Sequence, residues 1–123
     1  MTKILIVEDE AILAMSLQDK LLDLGYEVPA TAETGEQAIR LVEQFRPDLV
    51  LMDIKLRDGI DGVEAAQRIR LKHDIPIVFM TAFGDEQTIR RANTATPYGF
   101  LVKPFRPAQL SRILNAALQA PAM

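Results

Sequence analysis

Four separated stretches carry side chains that could do chemistry together: Glu8-Asp9, Asp53, Thr81 and Lys103. Each closes a short apolar run: Ile4 to Val7, Leu49 to Met52, Ile77 to Met80 and Phe100 to Val102. Three carboxylates brought close repel one another, by about 4 kcal/mol per pair at 4 Å in an effective dielectric near 20. Unless one is protonated, they need a cation. Oxygen donors without Cys or His suit a hard ion, Mg²⁺ or Mn²⁺, and not zinc. The Thr81 hydroxyl and the Lys103 ammonium add a hydrogen-bond donor and a positive charge, which is what a phosphoryl group binds. A carboxylate in such company could form an acyl phosphate. Taken alone, Asp53 reads equally as a helix cap or a turn aspartate; the matching residues on other strand ends favour chemistry.

These groups meet only if the chain folds so that the ends of the apolar runs lie side by side. Leu49 to Met52 follows Pro47, which blocks continuation of a preceding helix, and reads as a strand buried on both faces. Lys3 to Val7 and Ile77 to Met80 read the same way, Phe100 to Val102 as a last strand, and Tyr26 to Thr31 as a weaker edge strand carrying Pro29. Between them lie helical patterns. Ala11 to Leu24 repeats Leu13, Leu17, Leu21 and Leu24 and is closed by Gly25. Thr34, Gly35 and Glu36 open a helix to Phe45 with Ala38, Ile39, Leu41, Val42 and Phe45 on its apolar face. Further helices are expected from about Gly62 to Lys72, over Asp85 to Asn93, and from about Pro107 to Leu118 with Leu110, Ile113, Leu114 and Ala117 inward. Five strands alternating with five helices predict a doubly wound α/β domain with a parallel sheet covered on both faces. Such sheets bind ligands beyond the carboxyl ends of their strands, where the four stretches would lie.

A chain of 123 residues suits one domain with one core. Its net charge of −3 and pI of about 5.1 give no basic footprint for nucleic acid. No cysteine is present, which excludes disulfides and thiolate metal sites, and the single His73, expected at the surface, excludes a histidine cluster or a Ser-His-Asp triad. The first apolar run is closed by Glu8-Asp9-Glu10 and is too short for a signal peptide; no apolar segment approaches membrane-spanning length. A cytoplasmic domain is expected.

The ordered set Glu8-Asp9, Asp53, Thr81-Ala82 and Lys103-Pro104-Phe105 resembles the receiver domain of two-component response regulators, over nearly the whole chain. The resemblance implies a flavodoxin-like five-stranded parallel sheet of order 2-1-3-4-5 between five helices. Residues 1–123 would then be a single receiver domain with no output domain in this chain. It implies Mg²⁺-dependent phosphoryl transfer from a phosphohistidine, on a sensor histidine kinase or a histidine phosphotransferase, to Asp53. Glu8, Asp9 and Asp53 would hold the metal, with the Lys55 backbone carbonyl as a further ligand. Thr81 would bond a phosphoryl oxygen, Lys103 would pair with the phosphate or with Asp53, and Pro104 stands where the family has a cis peptide. The switch residues implied are Thr81 and an aromatic three positions before the lysine, Phe100, with Tyr98 the neighbouring alternative and core filling the plainer role for Phe100. A homodimer through the last two helices and the last strand would be the family's arrangement.

The chain departs from the commonest family pattern at four places. The loop Ile54 to Gly62 lacks the usual proline near Arg57 and is read as one residue longer. Lys55 and Phe83, two positions after Asp53 and Thr81, predict slower loss of phosphate than in chemotaxis-type receivers. Pro97 predicts a shortened or bent fourth helix. Glu8 stands where aspartate is more frequent. On the first helix Ile12, Met15 and Leu22 lie off the leucine stripe, either as ordinary exposed apolar residues or, for Ile12 and Met15, as a docking surface for kinase helices. The basic residues Arg68, Arg70, Lys72, Arg90 and Arg91 read as solvated helix faces. Among competing functions, an aspartyl-phosphate phosphatase would carry a second aspartate where Lys55 stands, and a nucleotide binder would want a Gly- or Ser-rich loop in place of Glu8-Asp9-Glu10. A pseudo-receiver that binds partners without phosphorylation would not need the complete acceptor set.

Overall fold

In the computed structural model, which describes residues 1–82 and 85–119, the five apolar runs are the strands of one parallel sheet. They are β1 (Ile4–Val7), β2 (Thr31–Ala32), β3 (Leu49–Asp53), β4 (Ile77–Ala82) and β5 (Gly99–Lys103), in the order β2-β1-β3-β4-β5. The helices are α1 (Ala11–Asp23), α2 (Gly35–Phe45), α3 (Gly62–Lys72), α4 (Glu86–Ala92) and α5 (Pro107–Gln119), with a 3₁₀ turn at Asn93–Ala95. Every residue of β1 and β3 is buried, because parallel strands carry helices on both faces and each alternate side chain needs an apolar neighbour.

The alternation splits the core into two layers. Leu5, Val7, Val50, Met52, Ile77 and Phe79 face α2, α3 and α4, while Ile4, Ile6, Leu49, Leu51, Val78 and Met80 face α1 and α5. The register aligns Val7 with Met52, Asp53 with Met80, and Ala82 with Lys103, so all the chemistry-bearing residues emerge at one edge of the sheet.

Three expectations are corrected. The edge strand is not continuous from Tyr26: a single bridge joins Lys3 to Glu27, and β2 proper is only Thr31–Ala32. Pro29, which has no N–H to donate to β1, lies in the interruption. On α1 the buried residues are Ala14, Leu17 and Leu21, whereas Leu13 and Leu24 are exposed. A 13-residue helix is about 20 Å long; the four residues of β1 span about 13 Å, so both helix ends overhang the sheet. Finally, the His73 side chain is only 9% exposed, its Nε2 lying 3.0 Å from Glu43 Oε1, because the end of α3 packs beside the end of α2.

Local signals behave as elementary chemistry demands. Thr34 caps α2 by accepting from the Gln37 N–H, Asp61 caps α3 by accepting from the Glu64 N–H, and Gly25 supplies the left-handed φ of +92° after α1. The fourth helix ends at Ala92, and Thr96, barred from the right-handed helical region by Pro97, sits at φ 45°.

Candidate functional site

The site is built at the carboxyl ends of β1, β3 and β5. Glu8 continues directly from β1 and is 3% exposed; its backbone N–H donates to the Ala32 carbonyl, which fixes the chain at the point of exit. Asp53 closes β3 and is 7% exposed. Lys103 closes β5 and reaches back across the sheet edge, its Nζ donating to Glu8 Oε1 at 2.9 Å and to Asp53 Oδ2 at 3.0 Å. One ammonium thus bridges two buried carboxylates. The Lys103–Pro104 peptide is cis.

The electrostatics follow from burial. Loss of water pushes the Asp53 carboxyl up to about 6; the Lys103 ammonium opposes this rise, and the neighbouring Glu8 adds to it. Burial also disfavours the charged Lys103, but its bonds to Glu8 and Asp53 outweigh that, and its pKa is raised. Asp9 lies at the rim. Burial alone would raise its carboxyl, yet the Arg57 backbone N–H and guanidinium outweigh that and hold it below its ordinary value. Both Arg57 donors, N and Nε, lie 3.0 Å from the same oxygen, Asp9 Oδ2, and Nη2 donates to the Asp9 carbonyl at 3.3 Å.

One carboxylate oxygen each from Glu8, Asp9 and Asp53 lies within 4.8 Å of the others. Three hard oxygen donors at that spacing, one of them on a carboxyl that burial pushes towards protonation despite Lys103, suit a divalent ion such as Mg²⁺.

Thr81 is 4% exposed and stands one residue beyond Met80, the register partner of Asp53. Its hydroxyl is 3.5 Å from the Ala82 carbonyl, the outer limit for a hydrogen bond. Phe100 is half-buried and stacked on Phe79, with ring centroids 5.9 Å apart and planes 28° apart; Tyr98 is the more exposed, at 43%. The Lys55 backbone N–H donates to Asp53 Oδ1 at 3.3 Å, and its ammonium pairs with Asp85 at 2.9 Å. Phe83 and Ala120 to Met123 lie outside the described residues.

Ile12 and Met15 project from α1, 81% and 65% exposed. Beside them a groove of about 400 Å³ runs between Leu13, Ser16, Leu17 and Lys20 of α1 and Pro104-Phe105, with Glu8 and Lys103 also lining it. Of the basic residues expected as solvated faces, Arg91 instead pairs through both Nη atoms with the Asp61 cap, tying α4 to the start of α3, and Arg70 donates to the Ile75 carbonyl. The Arg57–Asp9 pair is absent from a reading of the sequence. Nothing local couples positions 9 and 57; the signal is the sheet order, which sets the loop after β3 beside the loop after β1.

Known proteins resemble this chain in sequence and fold. The family model for the response regulator receiver domain matches residues 4–115. The chain is 42% identical over 118 residues to the transcriptional regulatory protein PdtaR of Mycobacterium tuberculosis, covering 94% of this chain and 56% of that protein. It is 35% identical over 117 residues to the chemotaxis protein CheY of Bacillus subtilis, covering 94% of this chain and 97% of that one. The solved signal receiver domain of a modulated diguanylate cyclase from Desulfovibrio desulfuricans superposes with a TM-score of 0.89 at 38% identity, covering 96% and 94% of the two chains. The chain spans about half the length of the first curated relatives it matches, 56% and 43%.

Proposed function

Since this chain belongs to the response regulator receiver domain family of two-component signalling, we propose that Asp53 is its phosphoacceptor and that residues 1–123 act as one receiver switch. The observation that carries the reading is the single Lys103 ammonium held between Glu8 and Asp53, with Asp9 at the rim. An Asp53 oxygen attacks the phosphorus of a phosphohistidine; the P–O bond forms as the P–N bond breaks, and the imidazole leaves with the bonding pair. Lys103 neutralises the phosphoryl oxygens and holds the acceptor in place. Glu8, Asp9 and Asp53, with the Lys55 carbonyl, would hold Mg²⁺, which supplies the positive charge that the transferring group needs. The Thr81 hydroxyl, nearly buried one residue beyond the acceptor's register partner, donates to the new phosphoryl group. Phe100, resting on Phe79 two pairs back from Thr81 along the same two strands, turns as Thr81 moves and reshapes the surface of α4, β5 and α5.

The phosphoryl donor is a histidine kinase or phosphotransferase, docked on Ile12, Met15 and the groove beside Pro104-Phe105. Lys55, two positions after Asp53 and with its exposed ammonium paired with Asp85, slows attack by water and prolongs the phosphorylated state. Self-pairing through α4, β5 and α5 carries the signal onward, and the setting is cytoplasmic. No helix among the described residues is long and apolar enough to cross a membrane.

The test is intact-protein mass spectrometry after incubation with acetyl phosphate and Mg²⁺. A labile gain of one phosphoryl group, lost in Asp53→Asn and without Mg²⁺, is the expected result. Failure to phosphorylate with either acetyl phosphate or a phosphorylated kinase would leave a phosphorylation-independent binding module.

A further inference from the structure

We propose that Arg57 is a built-in competitor for the metal, a positioning residue that sets how tightly the site takes up Mg²⁺ and couples that uptake to the loop after β3. The inference rests on the reading that Glu8, Asp9 and Asp53 hold the ion. Asp9 Oδ2 accepts from both the Arg57 backbone N–H and the Arg57 Nε–H, each at 3.0 Å, and Nη2 reaches the Asp9 carbonyl at 3.3 Å. A cation that takes this oxygen competes with two donors for the same electron pairs. One that takes Oδ1 instead lies beside the guanidinium and is repelled by it. Either way Arg57 opposes the ion.

The two internal cations are not equivalent. Lys103 is anchored between two buried carboxylates and is 30% exposed, whereas the Arg57 side chain is 71% exposed and has room to swing into water. Arg57 is therefore the one that yields. Its backbone N–H shares the oxygen with its side chain, so uptake of the ion also loosens a main-chain bond of the loop. That loop carries Leu56, 9% exposed in the core that faces α2 and α3, and it leads to the Asp61 cap. Mg²⁺ is thus read by the loop before any phosphoryl group arrives.

The experiment is Mg²⁺ titration by isothermal calorimetry at low salt, with ¹H–¹⁵N spectra of the Arg57 backbone and Nε–H groups. An exposed ion pair is worth at most about fivefold in an equilibrium constant, so Arg57→Ala should bind Mg²⁺ about three- to fivefold more tightly. Arg57→Lys should fall near wild type. The gain should shrink towards nothing near 1 M KCl, where the Debye length is about 3 Å, and both Arg57 resonances should shift as Mg²⁺ saturates the wild-type protein. Equal affinities for wild type and Arg57→Ala at low salt, with Mg²⁺ bound by both, would overturn the competitor role alone. A gain in Arg57→Ala that persists unchanged in 1 M KCl would overturn it as well. Absence of Mg²⁺ binding in every variant would overturn the metal site itself and the inference with it.

Discussion

The Lys103 ammonium stands 3.0 Å from Asp53 Oδ2, joining the ends of two strands that are 50 residues apart in sequence and are not neighbours in the sheet, since β4 lies between them. This contact crosses β4 at its exit, and Asp53 sits beside a positive charge at the end of a buried strand instead of in a loop. The same burial that makes the pair effective makes Asp53 costly to ionise.

That cost has a sign in pH. The Asp53 carboxyl has an ordinary value of 3.8 and is pushed up to about 6 by burial, against the pull of Lys103 and with the push of Glu8. The folded state holds this proton more tightly than the unfolded chain does. The stability it contributes is full below about pH 4 and is lost as pH rises through about 6. In EDTA, Asp53→Asn should therefore be more stable than wild type by about 1–2 kcal/mol near neutral pH, less than the full shift implies because water reaches part of the site. The two proteins should converge near pH 4. Urea unfolding at both pH values checks this; a variant no more stable at neutral pH contradicts it.

Replacing Ile12 and Met15 together by Ser should slow phosphoryl transfer from a phosphorylated histidine kinase by about tenfold, the effect of losing one or two apolar anchors. Both side chains are largely exposed, so fold stability should hold. Phosphorylation by acetyl phosphate, which needs no docking surface, should be unchanged. Single-turnover transfer rates separate the two donors, and an unaltered kinase rate would return these residues to ordinary surface.

Gly62 opens α3 where the chain passes Asp53. A Cβ there would lie 2.0 Å from the Asp53 carbonyl oxygen and 2.9 Å from the Ile54 Cα, both backbone atoms that cannot step aside. Gly to Ala within a helix ordinarily gains about 0.5–1 kcal/mol. Here Gly62→Ala should lose at least about 2 kcal/mol, the range of overpacking. A thermal midpoint at or above that of wild type would refute the close approach.

The stacked pair Phe79 and Phe100 should be unequal. Phe79 is fully buried, and Phe79→Ala should cost about 3–5 kcal/mol. Phe100 is half-buried at the sheet edge, and Phe100→Ala should cost about 1–2 kcal/mol. Equal losses in urea unfolding would mean that Phe100 is simply core.

The fold was legible in the sequence where burial is uniform. Ile4 to Val7 and Leu49 to Met52 have no polar residue, and only a strand covered on both faces tolerates that in so short a run. The acid and base residues were legible because they stand at the ends of such runs. What was hidden depends on paths through loops. The Arg57–Asp9 and Arg91–Asp61 pairs join positions 48 and 30 residues apart, and a solvated arginine looks the same in sequence as an engaged one. The interrupted edge strand was half legible: Pro29 predicted an edge but not that the ladder would shrink to two residues. His73 was misplaced because its cover comes from α2, a different helix.

The parallel sheet also dictates when each part of the chain can settle. Ile4 of β1 pairs with Leu49 of β3, while β2, the strand that comes next along the chain, offers β1 only Thr31 and Ala32. During synthesis the apolar tetrapeptide of β1 therefore has no strand partner along its whole length until Leu49 to Met52 has been made. The entropy of closing that interval grows only as the logarithm of its length, but it must be met before the central contacts give anything back, which places folding on the slower side for a domain of this size. Acids Glu8, Asp9 and Glu10, set immediately after that tetrapeptide, keep the waiting strand charged at its end and discourage its association with other unfinished chains.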